Sequence, residues 1–278
     1  MIEGQWYPGN MARAVNRLRQ DLKIVDLVVE LIDARIPGSS RNPLFGRLLE
    51  GKKHLLLLHK ADLAEETITN RWVSYFNNSG IKSLSFSVNT RRSINHLLNF
   101  LKQQEKNIIS SRIKRPLRMM IIGIPNVGKS TLINYFVKKS VVRTGNQPGI
   151  TRGRQWIKVM PGVELLDTPG ILWPKLTDRN TFPLAAVGSI PAGRIDVQDI
   201  ALWLIRQYLE NDKASLLLKR YRELLPDTPD KTLEQIGLSQ GCLRAEGLVD
   251  FERASAFLLR DFQNGSLGRI SLEKPPSQ

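Results

Sequence analysis

Gly123-Ile124-Pro125-Asn126-Val127-Gly128-Lys129-Ser130 is the segment of this 278-residue chain with the most specific spacing. It fits G-x-x-x-x-G-K-[ST], a loop whose backbone N–H groups surround the phosphates of a nucleotide. Such a loop joins a buried strand to a helix, and both neighbours fit. Met119–Ile122 is a short apolar run, and residues 130–137 carry apolar side chains at helical spacing. The segment predicts an α/β nucleotide-binding domain with a mostly parallel sheet flanked by helices.

The loop and the turn after it supply the predicted phosphate contacts. The predicted nucleotide-binding residues here are Asn126, Val127, Gly128, Lys129, Ser130 and Thr131. The Lys129 ammonium would reach the terminal phosphates, which also makes it a candidate catalytic group. The Ser130 hydroxyl would ligate Mg²⁺.

Two downstream segments complete the predicted phosphate and metal site. Val163–Gly170 is an apolar strand that ends in D-T-P-G. Asp167 would hold Mg²⁺, and the Gly170 N–H would meet the γ-phosphate. Between this strand and the phosphate loop lies Thr151, which would close over the metal when the γ-phosphate is present. Thr151 and Gly170 are therefore also candidate catalytic residues.

A second motif lies upstream of the phosphate loop. His59-Lys60-Ala61-Asp62 follows Leu55–Leu58, an apolar run typical of a buried strand. An aspartate there can accept hydrogen bonds from guanine N1–H and from the exocyclic amine, and the aliphatic part of Lys60 would lie against the ring. In ordinary GTPases this tetrapeptide comes after the phosphate loop. The reversed order indicates a circularly permuted GTPase domain that binds GTP and GDP.

The first residue of this tetrapeptide departs from the usual asparagine. Asparagine braces neighbouring loops through its amide, and one imidazole cannot copy both its donors and its acceptor. His59 is therefore expected to give a modestly weaker GDP complex than asparagine would. Ser87, in Ser87-Val88-Asn89, is expected to supply the last contact to the base.

The chain resembles the ribosome biogenesis GTPase A group of circularly permuted GTPases. The resemblance covers most of residues 3–205, and its most specific parts are four short segments. They are Gln5-Trp6-Tyr7-Pro8-Gly9, Asp33-Ala34-Arg35-Ile36-Pro37, Ser40-Arg41-Asn42-Pro43 and Asp167-Thr168-Pro169-Gly170-Ile171-Leu172-Trp173-Pro174. The resemblance implies a cytoplasmic GTPase that acts late in large (50S) ribosomal subunit assembly. Its expected partners are the large-subunit precursor and its rRNA, with neither DNA nor a membrane involved, and we expect a monomer.

The expected catalytic groups of related GTPases are missing. Ras-type GTPases place a glutamine that orients water where this chain has Ile171. The resemblance implies a histidine after Gly9 in this role, and the position holds Asn10. Asn10 can bond a water but cannot act as a base. What remains is Lys129, Mg²⁺ and, as the resemblance implies, a K⁺ ion near Asn126. We therefore expect slow intrinsic turnover that an RNA partner stimulates.

Charge is distributed unevenly along the chain. Its 41 Lys and Arg exceed its 26 Asp and Glu, which gives a net charge of +15. Residues 1–180 hold 29 of the basic and 13 of the acidic residues, whereas residues 181–278 hold 12 and 13. A basic excess is typical of proteins that bind polyanions. The single cysteine, Cys242, excludes an internal disulfide, and no segment approaches the length of a membrane span.

Two domains are predicted: a GTPase domain over 1–180 and a small all-helical domain over 181–278. Residues 11–22 form a helix, for which docking on the sheet and contact with RNA remain equally open. Residues 102–118 are interpreted as a surface linker, and 266–278 as a frayed tail. In the second domain Gly237 is expected to stop a helix that begins after Thr228.

Three functions follow from these features. The favoured one is a GTP-dependent assembly factor whose GTP state binds pre-ribosomal RNA and whose hydrolysis releases it. The alternatives are a nucleotide-gated RNA-binding module with negligible turnover and a GTPase of tRNA or RNA modification.

Overall fold

The computed structural model describes residues 8–110, 115–139, 156–166, 178–190, 193, 195–222 and 227–276. Among these residues, six strands form one sheet in the order β3-β2-β1-β4-β6-β5. The strands are β1 (Leu27–Asp33), β2 (Lys53–His59), β3 (Ser83–Ser85), β4 (Leu117–Gly123), β5 (Trp156–Met160) and β6 (Val163–Leu166). All neighbours pair in parallel except β5 and β6, which are antiparallel. The predicted, mostly parallel α/β sheet is confirmed.

The register of the central strands brings the two sequence motifs together. Asp33 at the end of β1 pairs with His59 at the end of β2. On the other side of β1, Leu31 pairs with Gly123 at the end of β4. Because all three strands run in parallel, the segments that follow β2 and β4 leave the same edge of the sheet. The chain moves outward from β1 in both directions, and α/β proteins bind ligands at such a switch point.

Helices cover both faces of the sheet. They are α1 (Pro8–Leu22), α2 (Pro37–Ser40), α3 (Pro43–Leu48), α4 (Glu66–Asn78), α5 (Arg91–Ser110), α6 (Lys129–Lys139), α7 (Asp178–Ala186), α8 (Val197–Glu210), α9 (Ala214–Arg220), α10 (Pro229–Ser239) and α11 (Phe251–Asn264). Leu18 and Leu22 of α1 are buried in a cluster with Val28, Phe45 and Met120. The sequence left docking of α1 open, and this packing shows that one face of the helix is docked.

The predicted linker over 102–118 is wrong for residues 102–110 and 117–118. Helix α5 continues through Ser110, and β4 begins at Leu117. The residues after Leu101 are Lys, Gln, Gln, Glu and Lys, whose unbranched side chains lose little rotamer freedom in a helix. Polarity at these positions therefore reflects an exposed helical face and not an irregular segment.

The helices of the C-terminal region begin and end at residues with the expected capping chemistry. The side chains of Asp196, Thr228 and Asp250 accept backbone N–H groups in the first turns of α8, α10 and α11. Gly265 follows α11 with φ 81°, the left-handed conformation that ends many helices. Helix α7, which contains Pro183, was not predicted from the sequence.

Gly237 does not stop a helix as expected. It lies inside α10, which continues to Ser239. A Cβ at this position would lie 2.5 Å from Cγ1 of Val249. The glycine is therefore required for close packing between α10 and the segment before α11.

The predicted frayed tail is also wrong over residues 266–276. Leu267 and Ile270 are 2% and 1% exposed, which places them in the core. The Leu272 N–H donates to the carbonyl of Arg35 at 2.9 Å. The Glu273 carboxylate accepts the Gly38 and Ser39 N–H groups, and its carbonyl accepts the Trp72 indole N–H at 3.1 Å. This C-terminal segment is held against the N-terminal third of the chain.

The largest hydrophobic cluster runs from the sheet into the C-terminal helices. It joins Leu31 and Ile121 of the sheet to Leu204, Leu258 and other buried residues of α8 and α11. The division of the chain at residue 180 stays a prediction. Within the described part of the chain, no helix combines the length and apolar character that crossing a membrane requires.

Candidate nucleotide site

The phosphate loop follows β4 and ends where α6 begins at Lys129. The Lys129 ammonium is buried and donates to the carbonyls of Gly123 and Ile124 at 3.1 and 2.5 Å. Burial lowers the pKa of this side chain to about 8. A phosphate group beside the ammonium would favour its charged form, so this lysine is well suited to bind an anion.

Ser130 and Thr131 lie in the first turn of α6, and both are exposed. Their backbone N–H groups belong to the helix N-terminus, where the partial positive charge favours a phosphate. A serine hydroxyl is an oxygen ligand of the kind Mg²⁺ takes together with phosphate oxygens. The described part of the predicted metal site therefore fits Mg²⁺.

His59 lies against the phosphate loop from the end of β2. Its side chain is 3% exposed, and Nδ1 lies 2.8 Å from the carbonyl oxygen of Val127. Because a carbonyl only accepts, Nδ1 must carry the proton. Burial lowers the pKa of the imidazole, so the ring is neutral at pH 7. His59 thus provides one of the braces between loops that an asparagine would provide.

Gly128 explains how the loop accommodates this ring. Its φ is 105°, and a Cβ there would lie 2.4 Å from Cε1 of His59. Any larger residue would displace the imidazole from the loop. The Nε2 atom of His59 is buried and makes no hydrogen bond with any described residue.

Lys60 connects the base-reading segment to the phosphate loop and to β1. Its ammonium donates to the carbonyl of Asn126 at 3.1 Å and lies 3.2 Å from Oδ2 of Asp33. Lys60 and Asn126 both adopt left-handed backbone conformations, with φ of 59° and 57°. Non-glycine residues in this region are uncommon and concentrate at functional sites.

Asp62 lies beside the segment predicted to make the last base contact. Its Oδ2 accepts a hydrogen bond from Asn89 Nδ2 at 3.0 Å. Burial raises the pKa of Asp62, but hydrogen bonds from the Asn89 and Ser87 side chains outweigh burial and lower it overall. The carboxylate is therefore ionised at neutral pH and presents only acceptors, as guanine recognition requires.

The structure brings together most of the predicted site residues. The clustered residues are His59, Lys60, Asp62, Ser87, Asn126, Val127, Gly128, Lys129, Ser130 and Thr131. Thr151, Asp167 and Gly170 lie outside the described residues, and β6 ends at Leu166, directly before Asp167. Asn10 lies in α1, and its side chain is outside the described set. The role of each of these residues stays a prediction.

Sequence reasoning missed three residues that surround this site. Asp33 and Arg35 were noted only as part of a family motif, and Ser189 was not considered. The Ser189 hydroxyl donates to the carbonyl of Pro125 at 2.9 Å, and Asp33 faces Lys60. The sequence did contain a signal for Asp33, because an aspartate at the carboxyl end of a predicted strand lies where α/β sheets bind ligands.

Comparison with known proteins shows which sequences this chain resembles. The family described as 50S ribosome-binding GTPase matches residues 118–237, which begin in β4 and leave the upstream His59–Asp62 motif outside the match. Ribosome biogenesis GTPase A of Bacillus pumilus is 41% identical and covers 98% of this chain and 99% of its own length. The Thermotoga maritima protein of that name is 32% identical, over 97% of this chain and 94% of its own.

Solved structures agree with these relatives. The GNP-bound structure of YlqF from T. maritima matches with a TM-score of 0.66 and 28% identity, over 94% of this chain and 98% of its own. The predicted permuted GTPase fold with a helical C-terminal region is thereby confirmed, as is GTP hydrolysis in ribosome biogenesis. The chain belongs to the ribosome biogenesis GTPase A family of circularly permuted GTPases.

Proposed function

We propose that this GTPase acts at a late step of large (50S) ribosomal subunit assembly. Its GTP state binds pre-ribosomal RNA on the subunit precursor, and hydrolysis releases it. The observation that carries the GTP-binding part of the proposal is the hydrogen bond from Lys60 to the Asn126 carbonyl at 3.1 Å, because it joins the predicted guanine-reading segment to the phosphate loop. The names of the relatives, which refer to ribosome biogenesis, support the choice of partner.

The basic surface of the N-terminal part supports rRNA as the ligand. On α1, the exposed side carries Arg13, Arg17 and Arg19, and exposed Lys23 follows the helix directly, while the apolar side is docked. A recess of about 320 Å³ near the start of β2 is lined by the cationic side chains of Arg41, Lys52 and Lys82, among other residues. Cations around a recess attract the phosphates of a nucleic acid. Both surfaces lie in the half of the chain that holds the basic excess.

Within the site, we assign Mg²⁺ to Ser130, Thr151 and Asp167, and the γ-phosphate to Lys129 and the Gly170 N–H. Asn126 Nδ2 donates to the carbonyl of Gly188, so the amide oxygen of Asn126 is the atom that would ligate K⁺. Bound Mg²⁺ would neutralise charge that develops on the phosphates. With Ile171 and Asn10 in place of residues that orient water, slow turnover would depend on the ribosomal partner.

The proposed GTPase is a monomer, is located in the cytoplasm and does not act on DNA. A GTPase that acts on tRNA or on RNA modification remains the competing function. It would bind tRNA more tightly than ribosomal particles, which makes the choice of RNA the deciding measurement.

Sedimentation with ribosomal particles tests the proposal. The protein is mixed with large-subunit precursors, mature subunits or tRNA in the presence of GTP, GDP or a non-hydrolysable GTP analogue. We expect the precursor to retain the protein with the analogue and to lose it with GDP. Lys129→Ala removes the cation predicted to face the phosphates. Binding of this variant to the precursor should no longer depend on which nucleotide is present. Equal binding in all nucleotide states, or preferential binding to tRNA, would contradict the proposal.

A further inference from the structure

The carboxyl end of α11 makes two polar contacts that lead toward the nucleotide site. The carbonyl of Phe262 accepts a hydrogen bond from Arg35 Nη1 at 3.1 Å. The next residue, Gln263, donates from Nε2 to the carbonyl of Ala186 at 2.9 Å. The Arg35 guanidinium also lies over the Phe262 ring, 4.7 Å from its centre. One turn of helix thus contacts both the segment that follows β1 and the end of α7.

The first route runs through a buried ion pair. Arg35 is 1% exposed, and its side chain makes two hydrogen bonds to Asp33, at 2.9 Å from Nε and 2.8 Å from Nη2. The same Asp33 carboxylate lies 3.2 Å from the Lys60 ammonium. Burial opposes ionisation of Asp33, but the adjacent Arg35 and Lys60 charges lower its pKa well below the usual range. The carboxylate is therefore shared between Arg35 and the base-reading lysine.

The second route runs through the end of α7. Ala186 accepts from Gln263, and two residues later the carbonyl of Gly188 accepts from Asn126 Nδ2 at 2.6 Å. Ser189 adds a hydrogen bond from its hydroxyl to the carbonyl of Pro125. Two consecutive residues of the phosphate loop are therefore held by the turn after α7.

The two routes meet where Lys60 donates to the carbonyl of Asn126. The contacts close a ring that leads from α11 through Arg35, Asp33 and Lys60 to Asn126, and back through the turn after α7. Lys60 and Asn126 are the two non-glycine members of the ring with left-handed backbones. Because such conformations cost free energy, the surrounding contacts must hold them in place. The ring supplies those contacts from outside the nucleotide site.

We propose that the carboxyl end of α11 is a positioning element of the nucleotide site, acting through Arg35 and Asp33 on Lys60 and through Gln263 on the phosphate loop. Docking of α11 and occupancy of the site by GDP or GTP are thereby thermodynamically linked. Because such linkage is reciprocal, bound nucleotide raises the equilibrium constant for docking of α11 by some factor. Undocking of α11 lowers the affinity for nucleotide by the same factor. This inference requires nucleotide binding and does not depend on the ribosomal partner.

Release of a fluorescent GDP analogue from the full-length protein tests the link. Gln263→Leu removes the donor to Ala186, and the double variant Asp33→Asn/Arg35→Met removes both charges of the buried pair while keeping similar volumes. Gln263→Leu, which loses one hydrogen bond, should release the analogue about tenfold faster than wild type, and the double variant, which loses several polar contacts, should release it at least that fast. The matched control is Asp26→Asn/Arg115→Met. It neutralises another Asp–Arg pair, bonded at 2.7 and 2.8 Å before the starts of β1 and β4, and should leave release unchanged.

Hydrogen exchange separates positioning from a general loss of stability. In wild type, GDP should slow amide exchange at the end of α11 and at Ile270 and Leu272, whose N–H groups bond to the carbonyls of Leu63 and Arg35. In Gln263→Leu, saturating GDP should protect these amides several-fold less, while protection of the phosphate loop is kept. If the double variant does not fold, Gln263→Leu decides the question. Wild-type release together with undiminished protection in Gln263→Leu would overturn the proposal.

Discussion

The imidazole of His59 and the carbonyl of Val127 lie 2.8 Å apart, so the last residue of β2 is bonded directly to the phosphate loop. The asparagine usual at this position would place an amide nitrogen where His59 has Nδ1. Histidine therefore keeps one brace and adds a buried Nε2 that has no partner among the described residues. A buried nitrogen without a partner costs free energy, on the order of 1–3 kcal/mol.

We expect His59→Asn to bind GDP as tightly as wild type or several-fold more tightly. The amide can keep the bond to Val127 and removes the buried Nε2. His59→Leu leaves the Val127 carbonyl without a donor and should weaken GDP binding about tenfold or more. Titration calorimetry with GDP measures both variants. Tighter binding by His59→Leu than by His59→Asn would show that the bond to Val127 does not support the site.

His59 should also make stability depend on pH. Burial holds the pKa of the folded imidazole below 6.5, its value in the unfolded chain. Below about pH 6.5 the unfolded state binds more protons than the folded state, so the stability contributed by the neutral His59 falls as pH decreases. Above that pH this contribution is fully present. Between pH 7.5 and 5.5, wild type should lose more free energy of unfolding than His59→Asn, by up to about 1.4 kcal/mol per pH unit. Urea unfolding at both pH values measures this, and equal losses in the two proteins would contradict it.

Asp62 should determine the choice of base. Asp62→Asn replaces one acceptor with a donor, so GTP affinity should fall at least about tenfold. Xanthine nucleotides should gain affinity, because their C2 oxygen can accept from the new amide. Competition among GTP, XTP and ATP for the wild-type and variant proteins measures the change. Equal competition by ATP and GTP in wild type would refute the assignment of Asp62.

Asn10 offers a test of catalysis. If the start of α1 reaches the γ-phosphate, Asn10→His should increase the subunit-stimulated turnover rate several-fold. This increase corresponds to an activation barrier lower by about 1 kcal/mol, and GTP affinity should be nearly unchanged. Phosphate release over many turnovers, with and without large subunits, measures the effect, and Asn10→Ala is the control. If both variants keep the wild-type rate, residue 10 has no catalytic role.

Glu273 should contribute to stability although it is far along the chain from its partners. Glu273→Ala leaves the buried N–H of Ser39 and the N–H of Gly38 without their acceptor, and we expect a loss of about 1–2 kcal/mol. Glu234→Ala, at an exposed position of α10, should change stability by less than about 0.5 kcal/mol. Chemical denaturation compares the two, and equal effects would show that the contacts of Glu273 contribute little.

Local sequence patterns predicted the core of this site because each of its motifs adjoins a buried strand. Leu55–Leu58 and Met119–Ile122 are apolar runs typical of central strands, and the motifs follow them directly. The bond from Arg35 to Phe262 spans 227 residues, and no local pattern marks it. Gly237 shows a related limit, since a glycine that permits close packing and one that ends a helix look alike in sequence.

Because the C-terminal segment over 266–276 packs on residues near the start of the chain, this face of the protein can be completed only late in synthesis. A ribosome makes Asp33, Arg35 and Lys60 early, whereas Phe262, Ile270 and Glu273, which complete that face, are made some 200 residues later. Until those residues are synthesised, the Asp33–Arg35 ion pair is incompletely covered, and the backbone N–H groups that Glu273 accepts lack their partner. If α11 positions the nucleotide site as we propose, a nascent chain reaches full affinity for nucleotide only near the end of its own translation. The GTPase would then stay inactive while a ribosome is still synthesising it.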